Sequence, residues 1–247
     1  MHRVQSSTGD PWWNQWWKLG GVAGLLWIVL FIVGAFVLQG DTPTRDDDIA
    51  EIREYFTDDA EQYLVGDYLI GLGFMLGFLP YLIVLRRVLG GGLTLPGLLS
   101  RVALFAGVIA IIIGAVASLF WGTLAVGAAE SSEVDDSAIR LFMEADVYAF
   151  NTLVFPLSLF LLAAGLSLWM TGVLNRWLGW IGIIGGIGGF IGAAWPIDGD
   201  EEGLISGIGL LSFLGMLLFI ITTSVALLMK KEAPLADVEI GPDRTVV

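Results

Sequence analysis

Asp67 and Asp146 each stand at an apolar run, and Asp146 is followed closely by Tyr148 and Asn151. A carboxylate in lipid is costly, so it faces a bundle interior, water or a partner. Carboxylate, phenol and carboxamide are groups that hold a cation or pass a proton. Asp67, Asp146, Tyr148 and Asn151 are therefore the candidate ion, solute or polar site, near one mouth of the membrane. Tyr148 and Asn151, three apart, share a helix face; Asp146 and Asn151, five apart, share one only loosely. The competing reading makes both acids wetted interface residues, or helix N-terminal charges favoured by the macrodipole. That simpler reading is preferred.

Catalysis and metal binding find little to build on. The chain has no cysteine, and its only histidine is His2. Thiolate and His-ligated metal sites, disulfides, cysteine nucleophiles and Ser-His catalysis within the membrane are excluded. An intramembrane aspartyl protease needs Gly-x-Gly-Asp deep in a helix. Here Gly66-Asp67 is followed, not preceded, by Gly71-x-Gly73. Asp198-Gly199-Asp200-Glu201-Glu202 is too short and irregular for a calcium loop and reads as a solvated anionic face. No catalytic residue, metal or cofactor is expected. A net charge of −13 argues against nucleic acid as a partner.

The elements that carry these residues are transmembrane helices. Of 247 residues, 56% are hydrophobic, and the mean hydropathy is +0.79. Six apolar runs are long enough to cross a core of about 30 Å at about 1.5 Å per residue. They cover 20–37, 63–85, 102–123, 147–172, 177–195 and 204–229. Helices are required, because an isolated strand would leave its backbone groups unpaired in lipid. The expected fold is an all-α, polytopic six-helix membrane bundle over 19–229. Segment 1–18 is a Trp-rich interfacial stretch, and 230–247 is a polar tail.

Nine of the twelve basic residues fall on one side of these spans, and twenty of the twenty-five acidic residues on the other. The positive-inside rule places the basic side, with both termini, in the cytoplasm. The acidic outer loops are then 41–62, 128–145 and 197–203. Trp12, Trp13, Trp16 and Trp17 precede the first span, where 11–18 forms a short helix along the inner surface. Trp177 and Trp180 mark the inner end of the fifth span; Trp121 and Trp195 mark outer ends. Indole, apolar with one N–H, suits the headgroup region.

In loop 41–62, Ile49, Ile52, Tyr55 and Phe56 fall on one helical face. A short amphipathic helix is expected there, capped by Thr44 or Asp46. In the inner loop 87–101, Gly90-Gly91-Gly92 and Pro96 break helix and allow flexibility. Pro80 and Pro156 kink their spans. The spans pair into three hairpins that share weak local patterns, a bias common to outward and return helices. The fifth span carries Gly182, Gly185, Gly186, Gly189 and Gly192 at small-xxx-small spacings, which let another helix approach closely. Packing inside one bundle is the preferred account. A homo-oligomer or membrane partner through this face is the alternative.

The Trp-rich start into Gly20-Gly21-Val22-Ala23-Gly24, the segment Ile49-Ala50-Glu51-Ile52 with Tyr55-Phe56, and the turn Asn175-Arg176-Trp177-Leu178-Gly179-Trp180 carry a resemblance. With these, the chain resembles a large bacterial group of multi-span membrane proteins sharing a domain of unknown function. The resemblance implies a prokaryotic cell membrane and brings no reaction or substrate. The expected function is a non-enzymatic structural, sensory or partner-binding membrane protein, with membrane lipids as its surroundings. The alternatives are a small-solute or cation transporter using Asp67, Asp146 and Asn151, and, third, a lipid-modifying enzyme.

Overall fold

The structure is a computed structural model describing residues 15–40, 43, 47–117, 123–131, 134–194 and 203–231, with the backbone alone for 146, 147 and 150. Among the described residues 88% are helical and none forms a strand. Helix α1 (Trp16–Ile32) runs on through a π-helical turn, Val33–Leu38. α2 (Ile49–Asp58) and α3 (Ala60–Leu72) meet at Asp59. A second π-helical turn, Gly73–Phe78, joins α3 to α4 (Leu79–Leu89). Then come α5 (Leu95–Val116), α6 (Thr123–Glu130), α7 (Asp136–Thr171), α8 (Arg176–Gly192) and α9 (Leu204–Met229).

Five segments are long and apolar enough to cross a membrane: Trp16–Leu38, Ala60–Leu89, Leu95–Val116, Asn151–Thr171 and Leu204–Met229. The fifth span read from sequence, now α8, has 17 residues. It rises about 25 Å, short of a core of about 30 Å.

The long helices close into a ring. α5 packs on α7, α7 on α8, α8 on α9, α9 on α1, α1 on the second π turn and α4, and α4 on α5. Aromatic side chains fill the centre. The Trp27 and Phe78 rings lie 5.1 Å apart, Phe78 and Phe160 5.5 Å, and Phe160 and Phe219 6.0 Å. Edge-to-face and tilted contacts at these distances add to the gain from burial. The Tyr81 hydroxyl, buried in the same core, shares a 2.7 Å hydrogen bond with the Thr223 hydroxyl.

One end of the ring carries the first and last described residues, around 15 and 231. There Trp17 is buried, and its indole N–H donates to the Lys230 carbonyl at 3.3 Å, tying the first helix to the last. The Arg87 guanidinium lies 4.4 Å over the Trp16 ring. Trp17 is thus a packing residue rather than a headgroup anchor. Trp12, Trp13, Trp121 and Trp195, and half of the inner-surface helix expected over 11–18, lie outside the described residues. So do Thr44, Asp46, most of loop 197–203 and the tail from 232. Trp16, Trp17 and Lys18 belong to α1.

The opposite end carries a helical cap with its own apolar core. Ile52 and Phe56 of α2, Tyr63 of α3, Ala125 and Ala129 of α6, and Ile139 of α7 pack there. The amphipathic helix over 49–58 is present, and its start is capped by Asp48, whose carboxylate accepts from the Ala50 N–H at 3.0 Å. Segment 128–145, expected as a loop, is largely helical: α6 ends at Glu130 and α7 already begins at Asp136. Asp135 starts α7 by accepting from the Ser137 N–H. Arg53 clasps the connection. Its guanidinium donates to the carbonyls of Ala129 at 2.8 Å and Val134 at 3.2 Å, and pairs with Asp136 at 2.7 Å. Carbonyls at a helix end need such donors.

One proline reading is revised. Pro96 does not break helix: it sits in the first turn of α5, where a missing N–H costs nothing, behind a Thr94 cap. Pro80 follows the second π turn, in which the Leu79 N–H bonds back to the Phe74 carbonyl five residues earlier. The wider turn adjusts the backbone hydrogen bonding just before the proline. Pro156 lies inside α7, which continues as a helix on both sides.

Candidate functional site

The four residues of the sequence-derived site divide between separate places. Asp67, on α3, is 5% exposed, and one carboxylate oxygen accepts from the Gln39 side-chain N–H at 2.8 Å. Gln39 ends the first π turn. Its own carbonyl accepts from the Tyr55 hydroxyl at 2.7 Å, and the neighbouring Leu38 carbonyl from the Gln62 amide at 2.8 Å. These side chains satisfy the carbonyls left open where the first helix ends. The two helices approach closely beneath them. A Cβ on Gly34 would lie 2.7 Å from the Gly66 carbonyl, and one on Gly66 2.8 Å from that of Gly34. Asp67 thus belongs to a polar cluster that holds α1, α2 and α3 together.

Asn151 lies elsewhere. It projects from α7 toward α8, and its amide reaches the Ala193 carbonyl at a long 3.5 Å. Its side-chain oxygen is buried and has no hydrogen-bond partner among the described residues. Tyr148 is exposed and does not join it. Asp146 lies within α7, and its side chain is outside the described residues. Spacing predicted a shared face for Tyr148 and Asn151. The crossing with α8 takes Asn151 inward and leaves the phenol on the outside.

Asn151 stands at the cap end of a half-enclosed cavity of about 470 Å³ between α7, α8 and α9. Val154, Leu157 and Leu161 continue the α7 wall. Gly185, Gly189 and Gly192 form the α8 wall, and Ser206, Phe213 and Met216 belong to that of α9. Asp67 is not among the lining residues. Two wall hydroxyls are already engaged: Ser158 donates to the Val154 carbonyl at 2.7 Å and Ser212 to that of Ile208 at 2.8 Å. None of the lining side chains is charged. Below Asn151 the cavity is therefore mostly apolar, and it shows no pair of groups able to move a proton.

No family model, curated protein or solved structure matches the chain. The functional reading therefore rests on this geometry.

The glycines of α8 explain why a cavity forms beside such close packing. One row meets α7: a Cβ on Gly182 would lie 2.8 Å from the Leu161 carbonyl, and one on Gly186 2.7 Å from the Leu162 nitrogen. A Cβ on Gly189 would collide with the Ser158 hydroxyl. The other row meets α9, where Gly192 abuts Gly209 so closely that a Cβ would strike its Cα. Gly185 differs. Its nearest neighbour would be a Leu161 methyl at 3.4 Å, an ordinary contact. Both glycine rows are used inside this chain, against α7 and α9. Sequence reasoning did not single out Ser158, Ser206, Gly209 or Ser212. Their small size near Gly185 and Gly189 was the available signal, but only the helix pairing shows which small residues face each other.

Proposed function

We propose that this is a non-enzymatic, partner-binding protein of a prokaryotic cell membrane, with six spans and both termini in the cytoplasm. The partner it binds is a membrane-soluble molecule held between α7, α8 and α9. The observation that carries this reading is the cavity of about 470 Å³ with the buried Asn151 oxygen, unpartnered among the described residues, at one end. Pockets of this size with apolar walls and a few placed polar groups are typical of small-molecule sites. An orphaned acceptor in such a pocket is costly unless a ligand or water meets it.

The cap end bears Asp48, Glu51, Glu54, Asp58, Asp59, Glu61, Glu130, Asp135 and Asp136, while the opposite end bears Lys18, Arg86, Arg87, Arg101, Arg176, Lys230 and Lys231. By the positive-inside rule the cap is extracellular. α8 counts as the sixth span because it packs between α7 and α9, two helices of the ring. The resemblance to the bacterial multi-span group agrees with this placement. The aromatic filling of the ring centre supports binding rather than conduction, and Asp67 is engaged with Gln39, away from the cavity walls.

Native mass spectrometry of the full chain, extracted in a mild detergent, tests the reading. The wild type should carry about one small apolar molecule per chain. Val154→Phe and Ser206→Phe, which fill the cavity from different walls, should each lose it while melting within a few degrees of wild type. If the wild type carries nothing, or either folded variant keeps the same complement, the reading is wrong.

A further inference from the structure

The shape and chemistry of the cavity narrow its occupant, on the basis that the binding reading above holds. The lining runs from Asn151 to Leu161 on α7 and from Ser206 to Met216 on α9, ten residue-to-residue steps on each. At 1.5 Å per residue that is a length of about 15 Å. A volume of about 470 Å³ over that length leaves a mean cross-section of about 30 Å². One extended hydrocarbon chain fits such a section; a pair of acyl chains does not. Leu161 and Met216, both buried and apolar, line the inner end.

The polar end specifies a head. The Asn151 oxygen is an acceptor without a donor among the described residues, and Ser206 lines the same end in the first turn of α9. Among the described residues, no lysine, arginine or histidine lines the cavity to neutralise an anion. The cap beside it bears many more acids than bases, and Arg53 there is engaged by Asp136 and three carbonyls. An anionic head is therefore disfavoured, and a head that can only accept hydrogen bonds leaves Asn151 unsatisfied.

We propose that the cavity binds one neutral single-chain amphiphile whose hydroxyl donates to Asn151, with its tail lying along the glycine wall of α8 toward Met216. Gly185 and Gly189 supply the room: any larger side chain at either position would project into the tail's space or into Ser158.

The test uses the full chain in detergent, stripped of endogenous lipid, with three probes followed by native mass spectrometry. These are 1-monoolein, oleate at pH 9, and a two-chain phosphatidylglycerol. Monoolein should bind at one equivalent and outcompete both others. Asn151→Leu should weaken it about tenfold, the scale of one neutral hydrogen bond. Val154→Phe should abolish it. If Asn151→Leu melts far below wild type, Asn151→Ala serves in its place. Equal or tighter binding of ionised oleate or phosphatidylglycerol overturns the proposal, as does unchanged monoolein affinity in the Asn151 variants. Failure of all three probes overturns it too. An endogenous ligand of another class, lost in Val154→Phe, would then leave the binding reading standing. No endogenous ligand at all would remove both.

Discussion

At the scale of single residues, the polar groups of this protein mostly hold helix ends. Asp67 was a candidate for ion chemistry because an acid in an apolar run is costly. In the fold it accepts from Gln39 at 2.8 Å, and Gln39 in turn sits under Tyr55. Asp67→Asn keeps an acceptor at that position and should leave the melting temperature nearly unchanged. Asp67→Leu strands the half-buried Gln39 amide and should cost about 1 kcal/mol, read by thermal melts in detergent. Equal melting of the two variants would contradict this role. Asp135 gives a pH signature. Its carboxyl is held below the ordinary carboxylate value, chiefly by the Ser137 backbone N–H and then by the Ser137 side chain. A depressed folded-state pKa means that its stabilisation is complete above the ordinary carboxylate pKa of about 4. It is lost as pH falls through the lower folded value. The protection of the amides at the start of α7 against hydrogen exchange, taken relative to the intrinsic rate at each pH, should therefore fall on acidification in wild type. In Asp135→Asn that pH step should be reduced.

At the scale of elements, glycine position rather than glycine content decides the packing of α8. A Cβ on Gly186 would lie 2.7 Å from the α7 backbone, whereas Gly185 faces the cavity. Gly186→Ala must push α7 away and should cost about 1–3 kcal/mol, the range for overpacking. Gly185→Ala should be tolerated, with a melting temperature close to wild type. If both variants melt alike, the division of the glycine faces is wrong. The two π-helical turns are likewise an element-scale feature. They occur on neighbouring helices, one ending at Gln39 and the other just before Pro80. Apolar periodicity predicts a helix through both stretches and is blind to the wider turn.

At the scale of the whole molecule, charge segregation and helix packing agree. The cysteine-free chain permits a direct topology test. Glu54→Cys on the exposed face of α2 should react with an impermeant maleimide applied to intact cells. Gly91→Cys, at an open position between α4 and α5, should react only after the cells are broken. The reverse pattern would invert the orientation. Cooperativity between cap and ring is expected as well, because α7 runs without interruption from Asp136 in the cap to Thr171 at the other end.

Sequence alone determined the all-α membrane character, because long apolar runs have only one way to satisfy their backbone in lipid. It also located the amphipathic helix over 49–58, whose period-3.6 pattern is a local property. The cap core, the separation of Asp67 from Asn151, and the cavity were decided only by tertiary structure. Each depends on which residues of distant helices meet. Arg53 reaches carbonyls more than seventy residues away, and Gly192 touches Gly209 across an interface that no spacing rule within one helix encodes. Periodicity says which faces are apolar; only the crossing of helices says which of those faces touch and where they leave space.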